Sequence, residues 1–252
     1  MKVKLCSLLL TTATLIGLYS ASTTSAAETG TKEIVNNTRS DEIGRRVALF
    51  DGPNGHTCTA TMLTPNFGLT AAHCGNGIKE DGAGKVSPAQ SALQTPFGSM
   101  GISLFNPYVT KDIAFIYGKN SDKDTSYKYY EKEFAKTEIK LDGFTKEQLE
   151  AMNGKKVYSF GYPYDYDGYK QYKFTGEITH ADDNSIRTTL PSAGGQSGSA
   201  LFLKDTNELI GVLVAGGGDI NSGNGSIYQP ITKEISSWYK TKKDLIENPP
   251  GN

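Results

Sequence analysis

The sequence predicts an all-β protein that closes with a single helix. Three observations predict it. β-Branched and aromatic residues are plentiful and the 252 residues include 28 glycines, a mixture that favours strands joined by tight turns. Short apolar or alternating runs recur between turn clusters. One late stretch instead spaces Ile231, Ile235, Trp238 and Tyr239 for a helical face. Many short strands and one late helix argue for a sandwich or a barrel.

The elements follow in order. Val47 to Phe50 is an apolar run stopped by the turn cluster Asp51-Gly52-Pro53-Asn54-Gly55. Thr57 to Leu63 alternates as a strand does, Pro65-Asn66 turns the chain, and Phe67 to Ala72 is apolar again. Gly75 to Pro88 reads as a glycine-rich loop. Ile113 to Tyr117 is a buried-strand candidate. Residues 119–136, charged and rich in tyrosine, read as a surface connection between two halves. Thr145-Lys146-Glu147-Gln148 has capping-box spacing ahead of Leu149 and Met152 and predicts a short helix. Val157 to Gly161, Gly176 to His180, Ser185 to Leu190, Ala200 to Leu203 and Leu209 to Ala215 are further strands.

The first 27 residues differ in character. Lys2 and Lys4 precede an apolar stretch from Leu5 to Ala21, then a small-residue run from Thr23 to Ala27. That is the order of a secretory signal, with Ser25 and Ala27 at the positions a signal peptidase reads. The apolar run is shorter than the ~20 residues that span a bilayer. Export leaves Cys58 and Cys74 as the cysteines beyond the signal, and an exported pair is expected to oxidise. The net charge of −1 gives no footing for nucleic acid or an anionic membrane.

Amide hydrolysis by a serine requires an imidazole to take its proton, a carboxylate to hold that imidazole, and backbone N–H groups for the oxyanion. The histidines are His56, His73 and His180. His73 lies in Leu69-Thr70-Ala71-Ala72-His73-Cys74, at the end of an apolar strand. Lys111-Asp112 stands at the mouth of the next buried strand. Gly194-Gly195-Gln196-Ser197-Gly198-Ser199 runs straight into Ala200-Leu201-Phe202-Leu203, which a flexible linker would not do.

These three segments resemble the motifs of the chymotrypsin-like (trypsin-fold) serine proteases. The order His73, Asp112, Ser197 is the order of that family, and the α/β-hydrolase order fails because no histidine follows His180. The likeness spans roughly residues 34 to 246. Gly161-Tyr162-Pro163, Gly195-Gln196-Ser197-Gly198-Ser199 and Ile231-Thr232-Lys233-Glu234 are most similar to the bacterial V8-like and Bacillus-type glutamyl endopeptidases. The resemblance implies two six-stranded antiparallel barrels, residues 34–135 and 136–230, then a helix over 231–246 and a tail over 247–252. It implies a catalytic triad of His73, Asp112 and Ser197, an oxyanion hole from the Gly195 and Ser197 amides, and a Cys58–Cys74 disulfide. It also implies a substrate cleft formed by Ser192, Leu213, Val214, Ala215 and Gly216.

The polar stretch from residue 28 to about 46 reads as a propeptide, a mature N-terminal arm, or both. Residues 28–33 are the propeptide candidate, and Ile34-Val35-Asn36-Asn37 resembles the N-terminus freed when such zymogens are cut after Glu33. Two departures stand out. Gln196 replaces the aspartate that pairs with the freed N-terminus in the animal enzymes. Leu213 stands where glutamyl endopeptidases place a pocket histidine. Pro191 and Ser192 at the pocket base are not acidic, so glutamate or a small apolar side chain is favoured over arginine or lysine at P1. The expected protein is a secreted monomer acting on polypeptides, with no cofactor, no metal site and, once the signal is gone, no membrane attachment. Gln196 and the pocket leave one alternative, a catalytically silent protease-fold binding protein such as an adhesin or toxin.

Overall fold

In the computed structural model, residues 29–77, 82–216 and 225–250 are described; the expected signal sequence lies outside them. Two antiparallel sheets carry the chain. The second sheet begins first, with β1 (Thr31–Ile34). The first sheet holds β2 (Val47–Asp51), β3 (Thr57–Met62), β4 (Phe67–Thr70), β5 (Lys85–Pro88), β6 (Met100–Gly101), β7 (Leu104–Pro107) and β8 (Ala114–Tyr117). Its order is β6-β5-β2-β3-β4-β8-β7, a curled sheet. The second sheet adds β9 (Lys156–Gly161), β10 (Tyr172–Ala181), β11 (Ile186–Thr188), β12 (Ala200–Leu203), β13 (Leu209–Gly216) and β14 (Ser226–Pro230). These six close into a ring because β10 pairs with both β11 and β9.

The two-barrel expectation holds, but not as two equal six-stranded rings. The ten-residue β10 is long enough to take β9 on one edge and β1 on the other, both along its first half, before a bulge near Ile178 turns its second half onto β11. β1 is therefore a seventh strand, attached outside the ring. Ring closure removes the exposed edges that invite aggregation.

The apolar runs explain themselves in the packing. In β2, Ala48 and Phe50 face a core inside the first sheet, while Val47 and Leu49 face a second core. A strand buried on both faces reads as a continuous apolar run. That second core joins Phe67 and Phe115 of the first sheet to Phe160 and Phe202 of the second, and Ile231, Ile235 and Tyr239 cap it. Each such aromatic contributes about 1.5–3 kcal/mol by leaving water. A third core, with Phe174, Ile210, Leu213 and Tyr228, fills the closed ring.

Four helices complete the chain among the described residues: α1 (Thr125–Phe134), α2 (Lys146–Glu150), α3 (Tyr164–Asp167) and α4 (Lys233–Glu247). α2 carries the predicted capping box between Thr145 and Gln148. α4 starts at an N-cap, Thr232, and sets Trp238 against Tyr108 and Phe115. Two readings need correction. Residues 119–136 are not a patternless connection: Tyr127 and Phe134, seven apart, bury one face of α1 in the first core. Lys85–Pro88 is strand, because Val86 completes that core and the backbone pairs with β2.

Asp124 fixes α1. Its carboxylate accepts from the Tyr127 N–H at 2.7 Å and from the Ser99 N–H at 2.7 Å. Burial pushes this carboxyl up, but the donors from Tyr127 and Ser99 outweigh it and leave it below the usual carboxylate value. A lowered folded-state pKa adds stability above the unfolded value and loses it as pH falls through the folded one. Asp124→Ala is expected to lower the unfolding free energy by about 1–2 kcal/mol in urea titration. Asp124→Asn should keep part of the cap while flattening the loss of stability in acid; an unchanged acid limb would assign it elsewhere.

Candidate active site

Strand pairing brings the imidazole and the carboxylate together. β4 and β8 pair with Thr70 opposite Ala114. Continuing that register past the strand ends sets Asp112 opposite Ala72, beside His73, which lies in the 3₁₀ turn Ala72–Gly75. One carboxylate oxygen of Asp112 accepts from the His73 backbone N–H at 2.9 Å, and the other lies 2.7 Å from His73 Nδ1. Burial raises the Asp112 carboxyl, yet the hydrogen bonds from the His73 ring and the His73 and Ala72 amides leave it below its usual value. An ionised carboxylate only accepts, so Nδ1 carries the proton, which is the arrangement that leaves Nε2 a lone pair when the ring is neutral.

Ser197 arrives from the other sheet, on the turn before β12. Its carbonyl accepts from the Thr59 N–H at 2.8 Å. Thr59 lies on β3, next to Cys58, and Cys58 is disulfide-bonded to Cys74, the residue after His73, with Cα atoms 6.2 Å apart. The Cys74 sulfur touches the Ser197 carbonyl oxygen at 3.8 Å; being oxidised, it has no proton to donate. Cys58, His73 and Cys74 have the crowding of a metal cluster, but both sulfurs are spent in the bond.

The loop before Ser197 is fixed from several sides. Gly194 N–H donates to Asp165 at 2.9 Å, while its carbonyl accepts from the Tyr164 N–H at 2.5 Å. The carbonyl and N–H of one peptide point opposite ways, so this bond turns the Gly195 N–H away from Tyr164. The Gly195 carbonyl accepts from Thr59 Oγ1 at 2.9 Å. Gly195 has φ +91°, and a Cβ there would lie 2.5 Å from the Tyr162 carbonyl oxygen, so only glycine fits. The Gly195 and Ser197 N–H groups have no acceptor among the described residues. Gln196 is buried, and its Oε1 accepts from the Ala193 N–H at 2.6 Å. A neutral amide thus braces the loop internally where the animal enzymes use an ion pair.

A cleft of about 700 Å³ opens beside Ser197. All five expected residues line it: Ser192, Leu213, Val214, Ala215 and Gly216. The Ser192 hydroxyl is buried without a partner among the described residues. Pairing on the β12 side ends at Leu213, whose N–H and carbonyl are taken by Ser199 and Gly198, so one edge of Val214 to Gly216 is left for an added strand. Four lining residues were not foreseen: Lys32 of β1, Asp165, Tyr166 and Ala193. Lys32 lies in the stretch read as a propeptide, and the sequence motifs do not reach Asp165 or Tyr166.

The sequence matches the trypsin family over residues 34–239. A search of curated proteins finds no match. Among solved structures, a Glu endopeptidase in complex with MPD aligns with TM-score 0.66 and 22% identity, over 86% of this chain and 97% of its own. The protease Anisep from Arthrobacter nicotinovorans aligns with TM-score 0.61 and 17% identity, over 84% and 98%. The thermostable serine protease AL20, from an extremophilic microorganism, gives 0.57 and 15%, over 78% and 97%. These likenesses bear on the fold.

The disulfide joins β3, whose Thr59 amide bonds the Ser197 carbonyl, to the turn that carries His73. Replacing both Cys58 and Cys74 with Ala should lower the unfolding free energy by about 3 kcal/mol, the chain-entropy value for a loop of this length. Chemical denaturation of both forms measures it, and an unchanged midpoint would refute it.

Proposed function

Because this chain belongs to the trypsin family of serine proteases, we propose that it is a secreted endopeptidase whose triad is His73, Asp112 and Ser197. The observation that carries the reading is the double hold of Asp112 on His73, through the backbone N–H and Nδ1. Ser197 Oγ attacks the scissile carbonyl while His73 Nε2 takes its proton. The Asp112 carboxylate keeps the ring oriented and stabilises the imidazolium. The Gly195 and Ser197 amides, with no acceptor among the described residues, receive the oxyanion. His73 then returns the proton to the departing amine, and water releases the acyl group by the reverse sequence.

The substrate backbone lies along Val214 to Gly216 as an added strand, with the P1 side chain in the cleft floored by Ser192 and walled by Leu213. That cleft favours glutamate or a small apolar residue over arginine or lysine. Export is supported by the signal-like residues 1–27 and by the disulfide. Among the described residues no helix is long and apolar enough to cross a membrane.

Ser197→Ala is expected to lower kcat by roughly 10⁴–10⁶-fold on a peptide substrate. A serine-directed phosphonate should label Ser197 in the parent enzyme, located by peptide mass spectrometry. Retained hydrolysis in the variant would refute the triad. Failure of the parent to label or hydrolyse would favour the silent binding protein.

A further inference from the structure

We propose that Lys32 gives the cleft a preference for an acidic P1 side chain, and that the N-terminal strand carrying it stays on the acting enzyme. The inference rests on the reading of this cleft as the P1 pocket.

The strand is built into the second sheet rather than laid over it. β1 pairs residue for residue with β10, from Thr31 opposite Thr175 to Ile34 opposite Tyr172. The Val35 N–H extends the pairing to the Gln171 carbonyl at 2.9 Å. The preceding Gly30 is buried against the backbone of Thr189 and Leu190, where a Cβ would lie 2.0 Å from the Thr189 oxygen. That backbone leads directly into Pro191 and Ser192. Residues 30–34 therefore buttress the segment that forms the pocket floor. Cleavage after Glu33 would sever this strand and detach Lys32 from the chain. Ile34, expected to become the new N-terminus, is 46% exposed and sits in the strand.

Lys32 reaches the cleft that Ser192, Ser197 and Leu213 also line. Its ammonium sits 3.4 Å from the centroid of the Tyr166 ring, a cation–π contact that holds the charge in place. No carboxylate is within ion-pairing distance of it among the described residues. The other charge in the cleft, Asp165, is engaged by the Gly194 N–H. The buried Ser192 hydroxyl, unpaired among the described residues, offers a donor from the floor. Leu213 adds an apolar wall to the same cleft, while Lys32 itself stays exposed. A positive charge, a free donor and an apolar wall together suit a carboxylate-bearing side chain.

The test compares kcat/KM on matched peptides with Glu, Gln or Arg at P1, for the enzyme as secreted and its variants. The parent should prefer Glu over Gln by more than tenfold. Lys32→Met should cut that ratio at least tenfold, Lys32→Arg should restore most of it, and Asp165→Asn should raise it. N-terminal sequencing of the secreted enzyme should find a start at or before Gly30. An unchanged Glu-to-Gln ratio in Lys32→Met, a parent that prefers Gln or Arg, or a secreted enzyme starting at Ile34 would each overturn the proposal. If no peptide is cut by any form, the protease reading falls first and takes this inference with it.

Discussion

Cys58 and Thr59 hold the two halves of the site in one frame. The Cys58 sulfur bonds to the residue after His73, and the Thr59 backbone bonds to Ser197. The Thr59 hydroxyl accepts from the Tyr162 N–H at 3.0 Å and donates to the Gly195 carbonyl at 2.9 Å. Two adjacent residues on one strand therefore tie the histidine turn, the serine loop and the end of β9 together. Reacting groups must be held within a fraction of an ångström for their alignment to count. Here a covalent bond within the first sheet's half and three hydrogen bonds across the junction of the two sheets supply that hold.

The electrostatics follow from that frame. Asp112 and His73 have side chains each 38% exposed, so they are neither free in water nor sealed from it. The carboxylate keeps its charge because three donors, the His73 ring and the His73 and Ala72 amides, outweigh partial burial. Two glycines at φ near +90°, Gly195 and Gly198, bracket Gln196 and Ser197 and turn the loop. A Cβ on Gly198 would meet the Thr59 carbonyl oxygen at 2.1 Å. The loop can lie this close to β3 at Gly198, and to the Tyr162–Tyr164 segment at Gly195, only because those positions carry no side chain. The Gln196–Ala193 bond braces the same turn without calling on the chain's N-terminus.

The parts of the site that depend on local chemistry were legible in the sequence. The His73, Asp112 and Ser197 segments each carry a strand boundary and a characteristic neighbour, and the sixteen-residue spacing of Cys58 and Cys74 matches the disulfide found. The double-buried β2 also announced itself as an apolar run. What could not be read is what pairing across long separations creates. Lys32 enters the cleft because β1 lies on β10, well over a hundred residues away in the chain. Asp165 and Tyr166 matter because the Gly194 loop folds back onto them. α1 was hidden because its charges mask a face made by only Tyr127 and Phe134, and β5 because glycines precede a single buried valine.

Asp112 is the residue through which fold and chemistry meet, and the asparagine variant isolates it. Asp112→Asn keeps the shape but permits the imidazole to hold its proton on the wrong nitrogen. The rate of acylation measured near neutral pH, on protein shown by circular dichroism to be folded, should fall roughly 10⁴-fold. A folded variant that acylates at the parent rate would contradict the account.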